Sequence, residues 1–138
     1  MKTAVSEATN LQLDWMVAKA KGLIDSGRVV IYAYRTYDAY GSPLGFNPPA
    51  EVYYCNDYRP TTDWSQGGPI IEREEIFLAK SILGGWTGSI YTYDERVRCT
   101  LHEGQTPLVA AMRCFVTAKL GDEVEVPEEL DCQRETSL

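Results

Sequence analysis

The stretch TPLVAAMRCFVTAKLG, residues 106–121, carries the clearest structural signals in this sequence. Thr106 is a favoured helix N-cap, Pro107 suits the first helical position, and Gly121 suits the residue that follows the last turn. Between these residues, apolar side chains recur at helical spacing. The members of this stripe are Leu108, Ala111, Met112, Phe115 and Leu120. We therefore predict a helix over 107–120 that packs one face against the core.

The chain before this helix has the pattern of an antiparallel sheet. We predict strands near 75–80 and 86–93, with Gly84-Gly85 as their hairpin turn. VRCTLHEG at 97–104 is expected to continue the sheet. IIEREEIFLAKSIL at 70–83 has no clean period, so we expect only a short turn near Pro69 before the first of these strands.

The N-terminal third predicts a second helix and one more strand. Thr9 or Asn10 caps a helix near 10–21, and GRVVIYAY at 27–34 is typical of a strand. Residues 1–8 are expected to be frayed. Prolines and glycines break up residues 35–69, leaving at most a short strand around EVYYC. The acidic tail at 122–138 is expected to end in mobile residues.

These elements predict one α+β domain over residues 1–138. Two helices, near 10–21 and 107–120, pack on a small, mostly antiparallel sheet with long Tyr/Pro-rich loops. Helices at both ends of the sequence with strands between them disfavour a doubly wound parallel sheet. A chain of 138 residues is long enough to bury a core without a metal or disulfide.

Composition excludes several classes of function. Thirteen Lys and Arg against twenty Asp and Glu give a net charge of -7, so direct DNA or RNA binding is not expected. The four cysteines form no C-x-x-C pair and His102 is the single histidine, which argues against a zinc site or any metal. We expect no cofactor. No signal peptide or membrane-spanning run is visible, and we expect a reducing cytoplasm.

Three segments resemble a known family. They are LDWMVAKAKG at 13–22, TTDWSQGGPIIERE at 61–74 and TPLVAAMRCFVTAKLGDEVEVPEEL at 106–130. Together they are similar to the NinX-like proteins of bacteriophages and prophages, a family built on a domain of unknown function. The resemblance implies a phage protein that acts in the cytoplasm of an infected bacterial host. It implies no catalytic residue.

The first candidate site is the segment around the glycine pair Gly67-Gly68. Successive glycines let backbone N–H groups converge on an anion, Trp64 offers a flat face, and Arg73 offers a bidentate fork. The polar residues Asp63 and Gln66 complete this set. The alternative is a tight structural turn in which Asp63 is a cap and Trp64 fills the core.

A tyrosine cluster precedes this segment. Seven of the nine tyrosines lie between Tyr32 and Tyr58. Their rings suit base stacking, with Tyr58 and Arg59 next to the glycine segment. The alternatives are a half-buried sheet face or a protein interface. The members are Tyr32, Tyr34, Tyr37, Tyr40, Tyr53, Tyr54 and Tyr58.

A third candidate is the start of the predicted C-terminal helix. Its N-terminal N–H groups, Thr106 and the preceding Gly-Gln pair suggest an anion cradle, and Arg113 lies two turns further on. The alternative is ordinary helix capping.

No catalytic residues are assigned. His102 with Cys99 or Cys114 has the residue types of a thiolate–imidazole pair but no local signature. Acidic pairs such as Asp57/Asp63 lack the spacing of a metal loop.

The sequence leads to three hypotheses of function. The first is a non-enzymatic phage protein that binds a small nucleotide-like ligand and sequesters a host antiviral nucleotide signal. The second is a protein–protein antagonist or adaptor that uses the tyrosine loops or the acidic tail on a host protein. The third is a nucleotide hydrolase. A homo-oligomer is compatible with each of them.

Overall fold

A computed structural model describes residues 1–23, 58–93, 95–127 and 130. The predicted strands at 27–34 and around EVYYC lie outside these residues, as does the end of the acidic tail. The elements in chain order are β1 (Lys2–Ala4), a 3-10 turn (Val5–Glu7), α1 (Asn10–Ala20), α2 (Trp64–Glu74), β2 (Phe77–Lys80), β3 (Trp86–Tyr93), β4 (Val97–Gly104), α3 (Pro107–Leu120) and β5 (Glu123–Glu125).

The predicted α+β class is confirmed. β2, β3 and β4 form an antiparallel sheet in that order, and β1 pairs with β5 in a separate two-stranded ribbon. The C-terminal helix has the predicted bounds 107–120, with the Thr106 hydroxyl accepting from the Val109 N–H. The N-terminal helix is capped by Thr9, whose hydroxyl and backbone N–H exchange hydrogen bonds with Gln12.

α3 packs directly on β3 and β4 because two glycines let the backbones approach. A Cβ at Gly88 would lie 2.9 Å from the Ala110 carbonyl oxygen, and one at Gly104 would lie 2.5 Å from the Ala110 nitrogen. On its other side, α3 meets α1 in a core of fully buried residues. The largest of them are Phe115, Leu13, Met16, Ile70 and Met112. The core therefore lies between the sheet and the helices, with α3 at its centre.

Two predictions are corrected. A turn is expected near Pro69, but Pro69 lies inside a third helix, α2, in which Ile70 is buried against the core. Residues 1–8, expected to be frayed, form β1 and the 3-10 turn. Lys2 pairs with Glu125, and Val5 is buried, so burial and strand pairing hold the segment in place.

Candidate functional site

The segment around Asp63 forms the start of α2. The Asp63 carboxylate accepts from the backbone N–H and hydroxyl of Ser65, at 2.9 and 2.6 Å, and from the Gln66 amide at 3.1 Å. These hydrogen bonds, chiefly that from the Ser65 hydroxyl, hold the pKa of Asp63 below its usual value. Because a carboxylate already occupies this helix terminus, a second anion there would be repelled.

The paired glycines of α2 have different environments. Gly67 is buried, and a Cβ there would overlap the Pro60 carbonyl oxygen and approach Leu108 within 2.6 Å. Gly68 is half-buried, and a Cβ there would lie 3.9 Å from the Trp64 ring, an ordinary van der Waals distance. The Trp64 side chain is 56% exposed, so it does not fill the core. Gly67 therefore serves close packing of α2, while Trp64 and Gly68 lie at the surface.

The remaining predicted residues of this segment lie around Tyr58. The backbone N–H of Arg59 donates to the Gln66 Oε1 at 2.7 Å, and the Arg73 Nε donates to Glu74 at 3.1 Å. Burial, with the nearby carboxyl of Asp14, raises the pKa of Tyr58 to about 12. Tyr58 packs against the core, so its ring is only partly available for stacking.

Sequence reasoning missed Asp14, a buried carboxyl on α1. Its Oδ1 accepts from the backbone N–H of Thr61 at 2.9 Å, and only 5% of the residue is exposed. The Thr61 hydroxyl lies beside the same carboxyl, outside hydrogen-bond geometry. Burial raises the pKa of Asp14 to about 7, against the lowering effect of Thr61 and of the Arg59 charge. This contact joins two of the three segments that resemble the phage family.

The third predicted constellation surrounds an open cleft of about 600 Å³. Of the residues in that prediction, Gly104, Gln105 and Arg113 line the cleft, whereas Thr106 is the cap of α3 and is not part of the lining. The complete lining is Ser6, Gly84, Gly85, Leu101, His102, Glu103, Gly104, Gln105 and Arg113. The β2–β3 turn packs closely against Gly104. Gly85 makes this contact possible, because it has φ +76 and because a Cβ there would lie 2.8 Å from the Gly104 carbonyl oxygen.

Arg113 connects the wall of this cleft to the N-terminal segment through two hydrogen bonds. Its two terminal nitrogens donate to the carbonyl oxygens of Glu103, at 2.9 Å, and Ala8, at 3.3 Å. Its Nε is buried and has no hydrogen-bond partner among the described residues. Burial lowers the pKa of Arg113, which remains a cation. Arg113 therefore gives the cleft wall a cation whose terminal nitrogens hold two backbone carbonyls and whose buried Nε is unpartnered among the described residues.

The thiols and the imidazole do not form a pair. The Cys114 thiol is buried, donates to the Thr100 carbonyl oxygen at 3.1 Å, and has a pKa raised by burial to about 12. His102 Nε2 lies 2.8 Å from the Thr117 hydroxyl, and burial lowers the pKa of His102. Cys99 is exposed on the opposite face of β4. Among the described residues there is no cluster of three or more metal-ligating side chains.

A family model described as "Bacteriophage P22, NinX" matches residues 4–119. The chain belongs to the NinX family of bacteriophage P22. No curated protein sequence matches it. All nine residues of the cleft and the Asp14–Thr61 contact lie inside the matched range of this NinX-family protein. None of the helices formed by the described residues has the length and apolar character needed to cross a membrane.

Proposed function

We propose that this NinX-family protein binds a small nucleotide-like ligand, without turnover, in the cleft between β4, α3 and the β2–β3 turn. The observation that carries the proposal is Arg113, whose buried Nε lacks a partner at the wall of a cleft of about 600 Å³. Ligand pockets typically measure about 300–1,000 Å³, so a nucleotide fits this volume.

The lining suits an anionic ligand that approaches the backbone closely. Gly84 leaves its backbone open, with nothing within 4 Å of a Cβ there, and Gln105 adds an exposed amide donor, while Glu103 places one carboxylate in the lining. A phosphate oxygen that reaches the Arg113 Nε would satisfy a donor whose isolation costs about 1–3 kcal/mol. Because the Nε is buried, this contact requires the Arg113 side chain to shift towards the cleft.

In an infected bacterial cytoplasm, such binding would remove a nucleotide signal that the host uses in antiviral defence. This role extends the ligand-binding proposal and rests on membership of a phage family. The antagonist hypothesis used the tyrosine loops and the acidic tail, and most of these residues lie outside the described part of the chain. No contact described above favours it over ligand binding.

A nucleotide panel tests the proposal directly. The full chain is screened by thermal shift against cyclic dinucleotides and cyclic ADP-ribose isomers, and hits are titrated by calorimetry. A ligand at one hundred times its Kd stabilises the folded state by about 2.7 kcal/mol. Gln105→Glu places a carboxylate in the cleft and is expected to weaken binding about tenfold or more, which is 1.4 kcal/mol.

Two controls make the result specific. Gln105→Ala removes the amide without adding charge and should weaken binding much less than Gln105→Glu. Thr62→Glu adds the same charge at an exposed position before α2 and should leave affinity unchanged. Chromatography of the ligand after incubation separates binding from hydrolysis, because a binding protein returns it intact. Absence of stabilisation by every nucleotide at millimolar excess would refute the proposal.

A further inference from the structure

The face of the β2–β3–β4 sheet that points away from α3 is apolar. Even-numbered residues of β3, including buried Gly88 and Ile90, face α3, so the odd-numbered residues point outward. The register aligns Tyr91 with Cys99 and Tyr93 with Val97 on this outer face. We call its large apolar members the outer patch. They are Phe77, Tyr91, Tyr93, Val97 and Leu101.

The outer patch is unusually exposed for apolar side chains. Tyr93 is 75% exposed, Val97 67%, Phe77 61% and Leu101 60%. Phe77 and Tyr91 pack edge to face, with ring centroids 5.6 Å apart, so the patch is continuous across β2 and β3. With aromatic side chains burying about 150–250 Å² each when covered, the five residues expose roughly 500–600 Å² together. A contiguous patch of that size lies at the upper end for a monomeric protein, and such patches often have a function.

The charge pattern indicates what covers this surface. Among the described residues on this face, Glu103 is the one that carries a charge, and it lies at the opposite end of β4 from Val97, whereas the whole chain carries a net charge of -7. Two copies therefore repel one another over most orientations, and they approach at least cost where both surfaces are neutral. A neutral patch offers nothing to a strongly charged partner. A two-fold axis lets the same surface serve on both subunits.

We propose that two copies of this chain form a dimer by packing outer patch against outer patch. A standard interface buries about 800 Å² per partner. The patch supplies most of this area, and the small residues between its members, Thr87 and Ser89, supply part of the remainder. The sheets would pack face to face at about 10 Å, as in a β-sandwich.

The dimer also bears on the proposed ligand site. Leu101 belongs to the outer patch and lines the cleft, and Glu103 follows it on the same face. A second copy seated on the patch would therefore lie next to the Leu101 side of the cleft. This consequence, unlike the dimer itself, rests on the proposed function, so the dimer is tested without any nucleotide.

Sedimentation of the full chain from about 1 to 200 µM measures the association. We expect a species of twice 15.5 kDa at the upper concentrations. Tyr93→Glu places two carboxylates in the interface and should weaken dimerisation at least about tenfold, or 1.4 kcal/mol. Ile82→Glu is the matched control because Ile82 is fully exposed in the β2–β3 turn, outside the outer patch. The dimer dissociation constant of Ile82→Glu should equal that of the wild type.

Cys99 supplies a second readout because its exposed thiol lies among the outer-patch residues. Its alkylation, followed on its own peptide by mass spectrometry, should slow as wild-type concentration rises and should not slow for Tyr93→Glu. Circular dichroism checks that each variant is folded. A wild type that stays monomeric to 200 µM, which leaves the patch for a different protein, overturns the proposal. Equal association of Tyr93→Glu and the wild type overturns it as well.

Discussion

Asp14 makes the free energy of unfolding depend on pH, and its burial determines the direction of that dependence. The pKa of this carboxyl rises from 3.8 to about 7 in the folded protein, so the folded state binds the proton more tightly than the unfolded state. The resulting stabilisation is complete below pH 3.8 and is lost as the pH rises through 7. The difference of about 3 units is worth roughly 4 kcal/mol in total. Between pH 5 and pH 8 the free energy of unfolding should fall by roughly 2.5 kcal/mol through this group.

Asp14→Asn isolates this contribution. The asparagine Oδ1 retains an acceptor for the Thr61 N–H, and the amide cannot ionise. The variant therefore resembles the protonated wild type at every pH. We expect the stability of Asp14→Asn relative to the wild type to increase by roughly 2.5 kcal/mol between pH 5 and pH 8. His102, whose pKa burial lowers, is present in both proteins, so its contribution cancels in the comparison.

Urea denaturation followed by tryptophan fluorescence at the two pH values measures the effect. Asp63→Asn is the matched control, because Asp63 is a carboxyl whose pKa is lowered by Ser65 and which stays ionised throughout this range. Its effect on stability should be the same at pH 5 and pH 8. The reasoning fails if Asp14→Asn and the wild type have parallel pH profiles, since Asp14 would then remain ionised inside the protein.

Three further substitutions test the packing. Gly67→Ala should lower the free energy of unfolding by about 1–3 kcal/mol, because the new Cβ would overlap the Pro60 carbonyl oxygen. Gly68→Ala lies on the same helix without such an overlap and should raise the free energy of unfolding by about 0.5–1 kcal/mol. Equal effects of the two substitutions in urea denaturation would contradict this. Gly88→Ala should cost about 1–3 kcal/mol by pushing α3 from the sheet, and an unchanged denaturation midpoint would count against that contact. Thr106→Ala should cost about 1 kcal/mol through loss of the α3 cap, with thermal unfolding as the measurement; Thr106→Ser should restore most of it.

The sequence predicts α3 and the β2–β3–β4 sheet because their signals are local. Thr106, Pro107 and Gly121 mark the ends of α3, and Gly84-Gly85 marks the hairpin. α2 was missed because Gly-Gly-Pro usually signals a turn, whereas burial of Ile70 and capping by Asp63 outweigh that local preference.

The remaining failures involve contacts between distant parts of the chain. β1 pairs with β5, more than a hundred residues away, and neither strand exceeds three residues. Neither segment has a periodic pattern long enough to predict it. Asp14 lies on α1 and meets Thr61, which is 47 residues away. A lone acidic residue in a helix gives no sign that a loop will bury it.

The described lining of the cleft holds one imidazole, one carboxylate and one guanidinium, from His102, Glu103 and Arg113. Its imidazole, His102, contacts the Thr117 hydroxyl and has a pKa lowered by burial, and Arg113 holds two backbone carbonyls. Among the described lining residues, Ser6 is the only hydroxyl side chain, and it is exposed on the segment before α1. General base catalysis needs a base within hydrogen-bond reach of the proton that it removes. Under the proposed function, Arg113 and the open backbone at Gly84 would hold an anion in this cleft, and retention of intact nucleotide by the wild type but not by Gln105→Glu would place the binding there.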